Sequence, residues 1–367
     1  MKKLSKLLLV VAVVFGFGIL ISNAVTPTTI SITGASDKHR YEAYQVFKGK
    51  LSKVPGKPEQ MVDIDWGDGI DSEKLLDELN KKVTGKNFTT PQSVADWLDK
   101  EVNNTEDDNA TAQLFASIVA DCLKAEGKAT SEFKTNHHEI KLADEGYYFI
   151  KDVSSLAGQD ESYTRYLLKV FGVDTTIQVK ADEATMTKKV KNGSNYADST
   201  IAEITDIITF RLTASLPTTF GDYNTYKLVF KDKMSAGLTY GDYKVYLVNG
   251  ATETELTGTN KLFSQSVEGD KIVFSADNIK TIQGITENSK IVIEYTATLN
   301  DSAVVGANTN EATLDYSNNP NETVNSATGT TVKDTATVYT YKLDITKVDG
   351  RSESTKLPGV KFKLCRC

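Results

Sequence analysis

Thr185-Met186-Thr187-Lys188-Lys189-Val190 alternates as a β-strand does, and the two-residue period turns Met186, Lys188 and Val190 to one face. That face is apolar except for the lysine. A buried ammonium is expensive unless paired, so a lysine placed this way tends to the free amine, and a free amine is a nucleophile. Far downstream, Asn310-Glu311-Ala312-Thr313-Leu314-Asp315-Tyr316 reads as its partner. With Asn310 on the last strand of the same domain, beside Lys188 and an acid, the amine attacks the side-chain carbonyl and expels ammonia. A covalent Lys-Asn amide then joins first strand to last. Strand lysines mostly face solvent; what sets Lys188 apart is its surroundings in the chain.

Around these two stretches, residues 204–212, 226–230, 243–248, 271–274, 290–299 and 312–316 read as strands separated by Gly, Asn and Asp turns. That is the pattern of a β-sandwich, here over residues 183–335. Several motifs stand in order within it: Thr187-Lys188-Lys189-Val190; Asp206-Ile207-Ile208-Thr209-Phe210, ending at Pro217; Lys231-Asp232-Lys233-Met234-Ser235-Ala236-Gly237-Leu238-Thr239-Tyr240; Glu294-Tyr295-Thr296-Ala297-Thr298-Leu299-Asn300; and Asn310 to Tyr316 followed by Ser317-Asn318-Asn319-Pro320. From Lys188 to Pro320 the chain resembles the isopeptide-forming D2 domain of Gram-positive pilus backbone subunits. The resemblance implies an Ig-like sandwich, a bond between Lys188 and Asn310, and Asp232 as the acid that promotes it. Asp206 and Glu294 are strand-borne in this reading and remain alternatives. The acid must be kept protonated by an apolar site, so that it donates to the Asn310 carbonyl and shuttles protons.

Upstream, Met1-Lys2-Lys3, an apolar run over 7–21 and a small-residue site ending at Ala24 read as a secretory signal peptide, residues 1–24, cleaved after Ala24. Residues 25–174 form a mixed α/β domain, with strands at 29–34, 41–47, 145–152 and 166–171 and helices at 72–80, 93–102 and 109–125. Its segments His39-Arg40-Tyr41-Glu42-Ala43-Tyr44-Gln45-Val46-Phe47-Lys48-Gly49, Ile64-Asp65-Trp66-Gly67-Asp68-Gly69-Ile70 and Gly146-Tyr147-Tyr148-Phe149-Ile150-Lys151-Asp152 resemble the N-terminal D1 domain of the same pilins. A linker over 175–182 follows. In the family a lysine at this junction is joined by a class C sortase to the next subunit, and Lys180 occupies that place. The usual Tyr-Pro-Lys-Asn is absent, since Gln178-Val179 precede Lys180 and Ala181 follows it.

Downstream, residues 330–341 read as a Thr/Val linker. Lys342-Leu343-Asp344-Ile345-Thr346-Lys347-Val348-Asp349-Gly350 and Leu357-Pro358-Gly359-Val360-Lys361-Phe362-Lys363-Leu364 resemble the opening of a Cna-B-like third domain over 336–367. Lys347 is its candidate isopeptide lysine, without the later Glu and Asn that would complete a bond. No sorting signal is visible, so the chain reads as a fragment or an early-terminated product.

The fold class is therefore mainly β: a mixed N-terminal domain, an Ig-like β-sandwich and a truncated Cna-B-like start. The three cysteines, Cys122, Cys365 and Cys367, make no disulfide framework; Cys122 reads as a core residue in the third helix. The net charge of -7 argues against nucleic acid as a partner. No metal or cofactor is expected: Asp63, Asp65, Asp68 and Asp71 depart from calcium-loop spacing, and His137-His138-Glu139 reads as an exposed turn. Tyr147, Tyr148 and Trp66 suit core packing better than a carbohydrate platform. No phosphate loop or hydrolase motif appears. The expected function is a structural one: a cell-wall-anchored pilus subunit serving adhesion, a substrate rather than an enzyme. Its partners are a class C sortase, further copies of itself and minor pilins, and host matrix or glycan. The alternative is a monomeric surface adhesin or minor pilin binding host protein or glycan.

Overall fold

The computed structural model describes residues 14–15, 28–52, 60–102, 110–171, 174–180, 182–322 and 327–363. The Ala24 cleavage site, Ala181, Cys365 and Cys367 lie outside the described residues.

In the N-terminal region β1 (Val14–Phe15), β2 (Thr28–Thr33), β3 (Tyr41–Ser52) and β4 (Gln60–Trp66) lead into α1 (Ser72–Lys82), α2 (Pro91–Val102) and α3 (Ala110–Ala120). Six strands follow: β5 (Lys128–Thr130), β6 (Glu132–Lys134), β7 (His137–Leu142), β8 (Gly146–Asp152), β9 (Leu167–Phe171) and β10 (Thr175–Gln178). One sheet runs β1-β4-β3-β8-β9 with β5 on β3; the other runs β10-β2-β7-β6. Ile30, Ile32, Tyr41, Ile140, Ile150 and Ile177 form a core shared by the two sheets. The helices pack a second core, around Phe47, Leu75, Leu79, Trp97 and Phe115, on the other side of the first sheet. Capping decides where the helices start. The Asp71 side chain accepts from Lys74 N at 3.1 Å, and Ser93 N bonds to Thr90 Oγ1 at 3.2 Å one residue before Pro91 opens α2.

Three expectations for this region are corrected. The third helix ends at Ala120, not at 125, because Cys122 O accepts from Asp71 N at 2.8 Å and Lys124 N bonds to Gly69 O at 3.0 Å. That backbone is claimed by the entry to α1. Cys122 itself is buried, just past the helix. The stretch at His137-His138 is a strand, not an exposed turn; the turn sits at Asn136, whose φ is 68°. His138 is fully buried, with Nε2 2.8 Å from Ser36 O. Finally, 175–178 is no free linker: β10 pairs in parallel with β2, from Thr175 opposite Ile30 to Gln178 opposite Thr33.

The second region comprises β11 (Thr185–Asn192), β12 (Asn195–Ala197), β13 (Ser199–Ile201), β14 (Ile207–Ser215), β15 (Leu228–Met234), β16 (Leu238–Asn249), β17 (Thr252–Glu255), β18 (Ser264–Glu268), β19 (Lys271–Ala276), β20 (Lys290–Leu299), β21 (Gly306–Ser317), β22 (Thr328–Thr330) and β23 (Asp334–Thr340). One sheet has the order β12-β11-β14-β20-β16-β17, the other β13-β23-β21-β15-β19-β18 with β22 on β21. Phe210, Leu212, Ile293 and Tyr295 of the first meet Phe230, Phe274, Leu314 and Tyr316 of the second in one core. Beyond it, β24 (Val348–Asp349) and β25 (Ser352–Lys356) form a small hairpin.

The expected linker at 330–341 contains β23, which pairs with β21 from Gly306 opposite Thr340 to Ala312 opposite Asp334. Asn310 therefore stands on β21, with β22 and β23 still to come, and not on the last strand. The difference bears on how the region carries load.

The loop after β8 fastens the two regions together. On the N-terminal side Asp152 accepts from Thr164 N at 2.9 Å and lies 2.7 Å from His39 Nδ1. On the other side buried Asn318 donates to Leu156 O at 3.0 Å and Glu161 O at 3.1 Å, and Tyr163 N donates to Asn318 O at 2.7 Å. Asn321 adds two more bonds, to Thr164 O at 2.9 Å and from Tyr166 N at 2.8 Å. Asn318→Ala removes the side-chain donor to the carbonyls of Leu156 and Glu161, the first of which keeps its bond from Gln159 N, and this loss costs on the order of 1–3 kcal/mol. Its expected result is faster proteolytic cleavage within 153–166, while the melting of the sandwich is little changed. Unaltered cleavage of that loop would mean that Asn318 does not hold the joint.

Candidate functional site

Lys188 is carried inward by the alternation of β11: Met186, Lys188 and Val190 are buried, while Thr187 is exposed. None of Lys188 is exposed, and its Nζ lies 5.2 Å from the Phe210 ring centroid and 5.3 Å from that of Tyr295. Across the core, β15 and β21 are registered so that Asp232 faces Ala312 and Met234 faces Asn310. Asp232 and Asn310 are thus diagonal neighbours on the inward face.

The three groups meet around a fourth. Lys188 Nζ bonds to Asp232 Oδ2 and donates to Tyr295 Oη at 3.0 Å. Tyr295 Oη donates to Asp232 Oδ2 at 2.9 Å and accepts from Asn310 Nδ2. One phenol therefore touches the amine, the acid and the amide. The remaining oxygens, Asp232 Oδ1 and Asn310 Oδ1, are buried without a hydrogen-bond partner among the described residues.

Burial pushes the Lys188 amine below its ordinary pKa and the Asp232 carboxyl above its own; the charge of each and the bond between them oppose the shift. Both directions favour the neutral pair, a free amine beside a carboxylic acid. Burial, then the nearby Asp232, holds the Tyr295 hydroxyl well above the usual phenol range, so it stays protonated.

A further residue locks the strand that carries Lys188. Asp334, at the start of β23, accepts from the backbone N–H of Lys188 at 2.7 Å through Oδ2 and from Thr335 N at 2.8 Å through Oδ1. This ties β11 to the opposite sheet beside Asn310. Neither Tyr295 nor Asp334 was a sequence candidate. The inward alternation of Ile291, Ile293, Tyr295 and Ala297 signals the first, since a buried phenol needs a partner. Nothing in the Thr/Val stretch around Asp334 signals the second.

The other candidates stand elsewhere. Glu294 faces away from the core, with Oε1 2.8 Å from Arg211 and 2.5 Å from Tyr196 Oη. Asp206 is not on a strand; it caps the turn before β14 by accepting from Glu203 N at 2.8 Å. Lys180 is exposed, two residues beyond the end of β10. Lys347 is exposed beside the terminal hairpin, its carbonyl accepting from Leu357 N at 2.9 Å. Among the described residues no group of three or more His, Cys, Asp or Glu could hold a metal. Asp68 pairs with Lys48 at 3.0 Å and Asp71 caps α1. Tyr147 and Tyr148 are buried, and Trp66 packs on Phe47 at 5.3 Å.

Residues 204–320, which include Asp232, Tyr295 and Asn310, match the family described as Gram-positive pilin backbone subunit 2, Cna-B-like domain. The trypsin-resistant surface T6 protein of Streptococcus pyogenes serotype M6 is 27% identical over 204 residues, 51% of this chain and 37% of that protein. The chain thus spans little more than a third of this relative. The solved T6 backbone pilin, described as a modular three-domain structure, shares the fold with a TM-score of 0.56 at 15% identity, over 91% of this chain and 68% of that one. The full-length major pilin SpaD from Corynebacterium diphtheriae aligns with a TM-score of 0.47 at 12% identity, over 90% of this chain and 70% of that one. Residues 204–320 of this chain are thus similar to the Gram-positive pilin backbone subunits in their Cna-B-like domain.

Proposed function

We propose that this chain is the backbone subunit of a surface pilus, and that its sandwich locks itself with an isopeptide bond between Lys188 and Asn310. The observation that carries this reading is the fully buried Lys188, set with Asp232 and Asn310 around one hydroxyl. Nζ of the neutral lysine adds to Cγ of Asn310, helped by a protonated Asp232 that donates to the amide oxygen. The bond from Cγ to Nδ2 then breaks, and ammonia leaves. One amide is broken and one made, with no redox change and no cofactor. The reaction runs once per molecule, so the chain is its own substrate and not an enzyme in the turnover sense. The printed name of the S. pyogenes relative calls it trypsin-resistant; a bond across the sandwich core gives this chain a physical basis for the same property.

The test is an intact mass of the purified chain, followed by peptide mapping. A deficit of one ammonia, with the Lys188 and Asn310 peptides joined, is expected. Full mass with separate peptides overturns the reading.

Assembly would use Lys180, exposed at the joint between the two regions, as the amine that a class C sortase links to the next copy. The polymer, with its minor pilins, would serve adhesion at the cell wall, after secretion directed by residues 1–24, whose removal would take β1 away and leave β4 as the edge of the first sheet. The terminal hairpin would begin a Cna-B-like third domain, with Lys347 as its isopeptide lysine. Because an exposed lysine contributes little to stability, Lys180→Ala should shift unfolding by no more than about 0.5 kcal/mol. With sortase supplied it should also abolish the ladder of covalent multimers on a denaturing gel. A ladder that persists in Lys180→Ala moves the linkage to another lysine.

A further inference from the structure

Forming the Lys188-Asn310 bond requires a net transfer of one proton. Neutral Nζ loses a hydrogen as it becomes an amide nitrogen, and Nδ2 gains one as it leaves as ammonia. Asp232 Oδ2 touches Nζ, so it can receive the first proton. No hydrogen bond joins Asp232 to Nδ2 among the described contacts; what lies between them is Tyr295 Oη, 2.9 Å from Oδ2 and hydrogen-bonded to Nδ2.

We propose that Tyr295 is a catalytic residue of the self-locking reaction, relaying the proton from Asp232 to the departing nitrogen of Asn310. The inference rests on the isopeptide reading above and adds the route by which the leaving group is protonated. Before reaction the phenol accepts from Nζ and Nδ2 and donates to Oδ2, which holds all three partners in place. As Nζ adds, Asp232 gives its own hydrogen to the amide oxygen and takes one from Nζ on Oδ2, so the former amide carbon becomes tetrahedral with a hydroxyl and Nδ2 has a basic lone pair. The phenol then gives its hydrogen to Nδ2 and takes the hydrogen that Asp232 received from Nζ. The C–N bond breaks, ammonia departs, the hydroxyl returns its hydrogen to Asp232 as the carbonyl reforms, and both Tyr295 and Asp232 are back in their starting state. Because burial keeps the phenol protonated, the two transfers are concerted and no phenolate is formed.

The ring has a separate, structural role, which the test must leave intact. It stacks on Phe210 at 5.4 Å and packs against Phe274 at 5.8 Å. Tyr295→Phe keeps those contacts and removes only the hydroxyl. The full chain is made by cell-free synthesis, sampled over time and quenched in denaturant, and the fraction lacking one ammonia is read by mass. Wild type should lock, and Tyr295→Phe should lock about a hundredfold more slowly or worse, the usual scale for losing a general acid. Its far-ultraviolet circular dichroism should match that of unlocked Lys188→Ala. Locking of Tyr295→Phe within about threefold of wild type would falsify the relay. A wild type that never loses ammonia fails the isopeptide reading itself, and the relay with it. A proton inventory on wild type needs no variant: a rate that curves with deuterium fraction reports two hydrogens in flight, and a straight line overturns the concerted relay.

Discussion

Lys188→Ala should keep its full mass and melt far below the wild type. The proposed bond between Lys188 and Asn310 would close a loop of roughly 120 residues, and by analogy with disulfides a loop of that length is worth about 5 kcal/mol. The substitution also strips Asp232 of its bonded amine inside the core, where losing a partner costs on the order of 1–3 kcal/mol. At about 2–4 °C per kcal/mol for a domain of this size, the midpoint of the sandwich should fall by roughly 12–32 °C. Single-molecule pulling reads the same change in another way. Load that enters at β11 and leaves after β23 crosses the bond, so residues 189–309 are bypassed. Residues 311–340 are not, because β23 follows Asn310 in the chain. The wild type should therefore release at most roughly 100 Å, as β23 shears from β21, against roughly 500 Å for the whole sandwich in Lys188→Ala, at about 3.4 Å per residue. Equal melting points and equal extensions in the two proteins would rule out the lock.

Asp232→Asn should fold, keep its full mass for hours, and lock more slowly by about 10²–10⁴, the range expected when an acid-base group is removed. The asparagine fills the same space on β15 between Phe230 and Met234, so a failure to react is not a failure to pack. The pH dependence carries independent information. Burial lowers the Lys188 pKa and raises that of Asp232, and the neutral pair holds the same number of protons as the ion pair. Locking of the wild type should then be flat through neutral pH. It should fall in acid, where the pair gains a second proton on the amine, and in alkali, where Asp232 loses its own. A rate that climbs steadily with pH would show instead a solvent-exposed lysine titrating on its own.

Much of the site was legible before the fold was known, because β-strand alternation is a local property. It turned Lys188 inward together with Met186 and Val190. Applied to β20, the same rule separates Glu294 from Tyr295: Ile291, Ile293, Tyr295 and Ala297 share one face, and Glu294 must take the other. Asp206 was misjudged because β14 begins one residue later, and the residue before it, Thr205, turns the chain with a φ of 78°. The helical block was placed correctly except at its end, where Cys122 and Lys124 answer to Gly69–Asp71 and not to their own helix.

By itself, then, the amino-acid sequence determined the mainly β character, the helical insertion and the inward facing of Lys188, because each depends on residues a few positions apart. Only the tertiary structure decided which acid meets that lysine, that Tyr295 touches Lys188, Asp232 and Asn310, that Asp334 pins the strand carrying Lys188, and that β23 follows Asn310 as a last strand. Those are matters of register between strands more than a hundred residues apart. Backbone hydrogen bonds carry no residue code, so register is chosen by how the two inward faces fill one core, which becomes visible only when all of them are assembled.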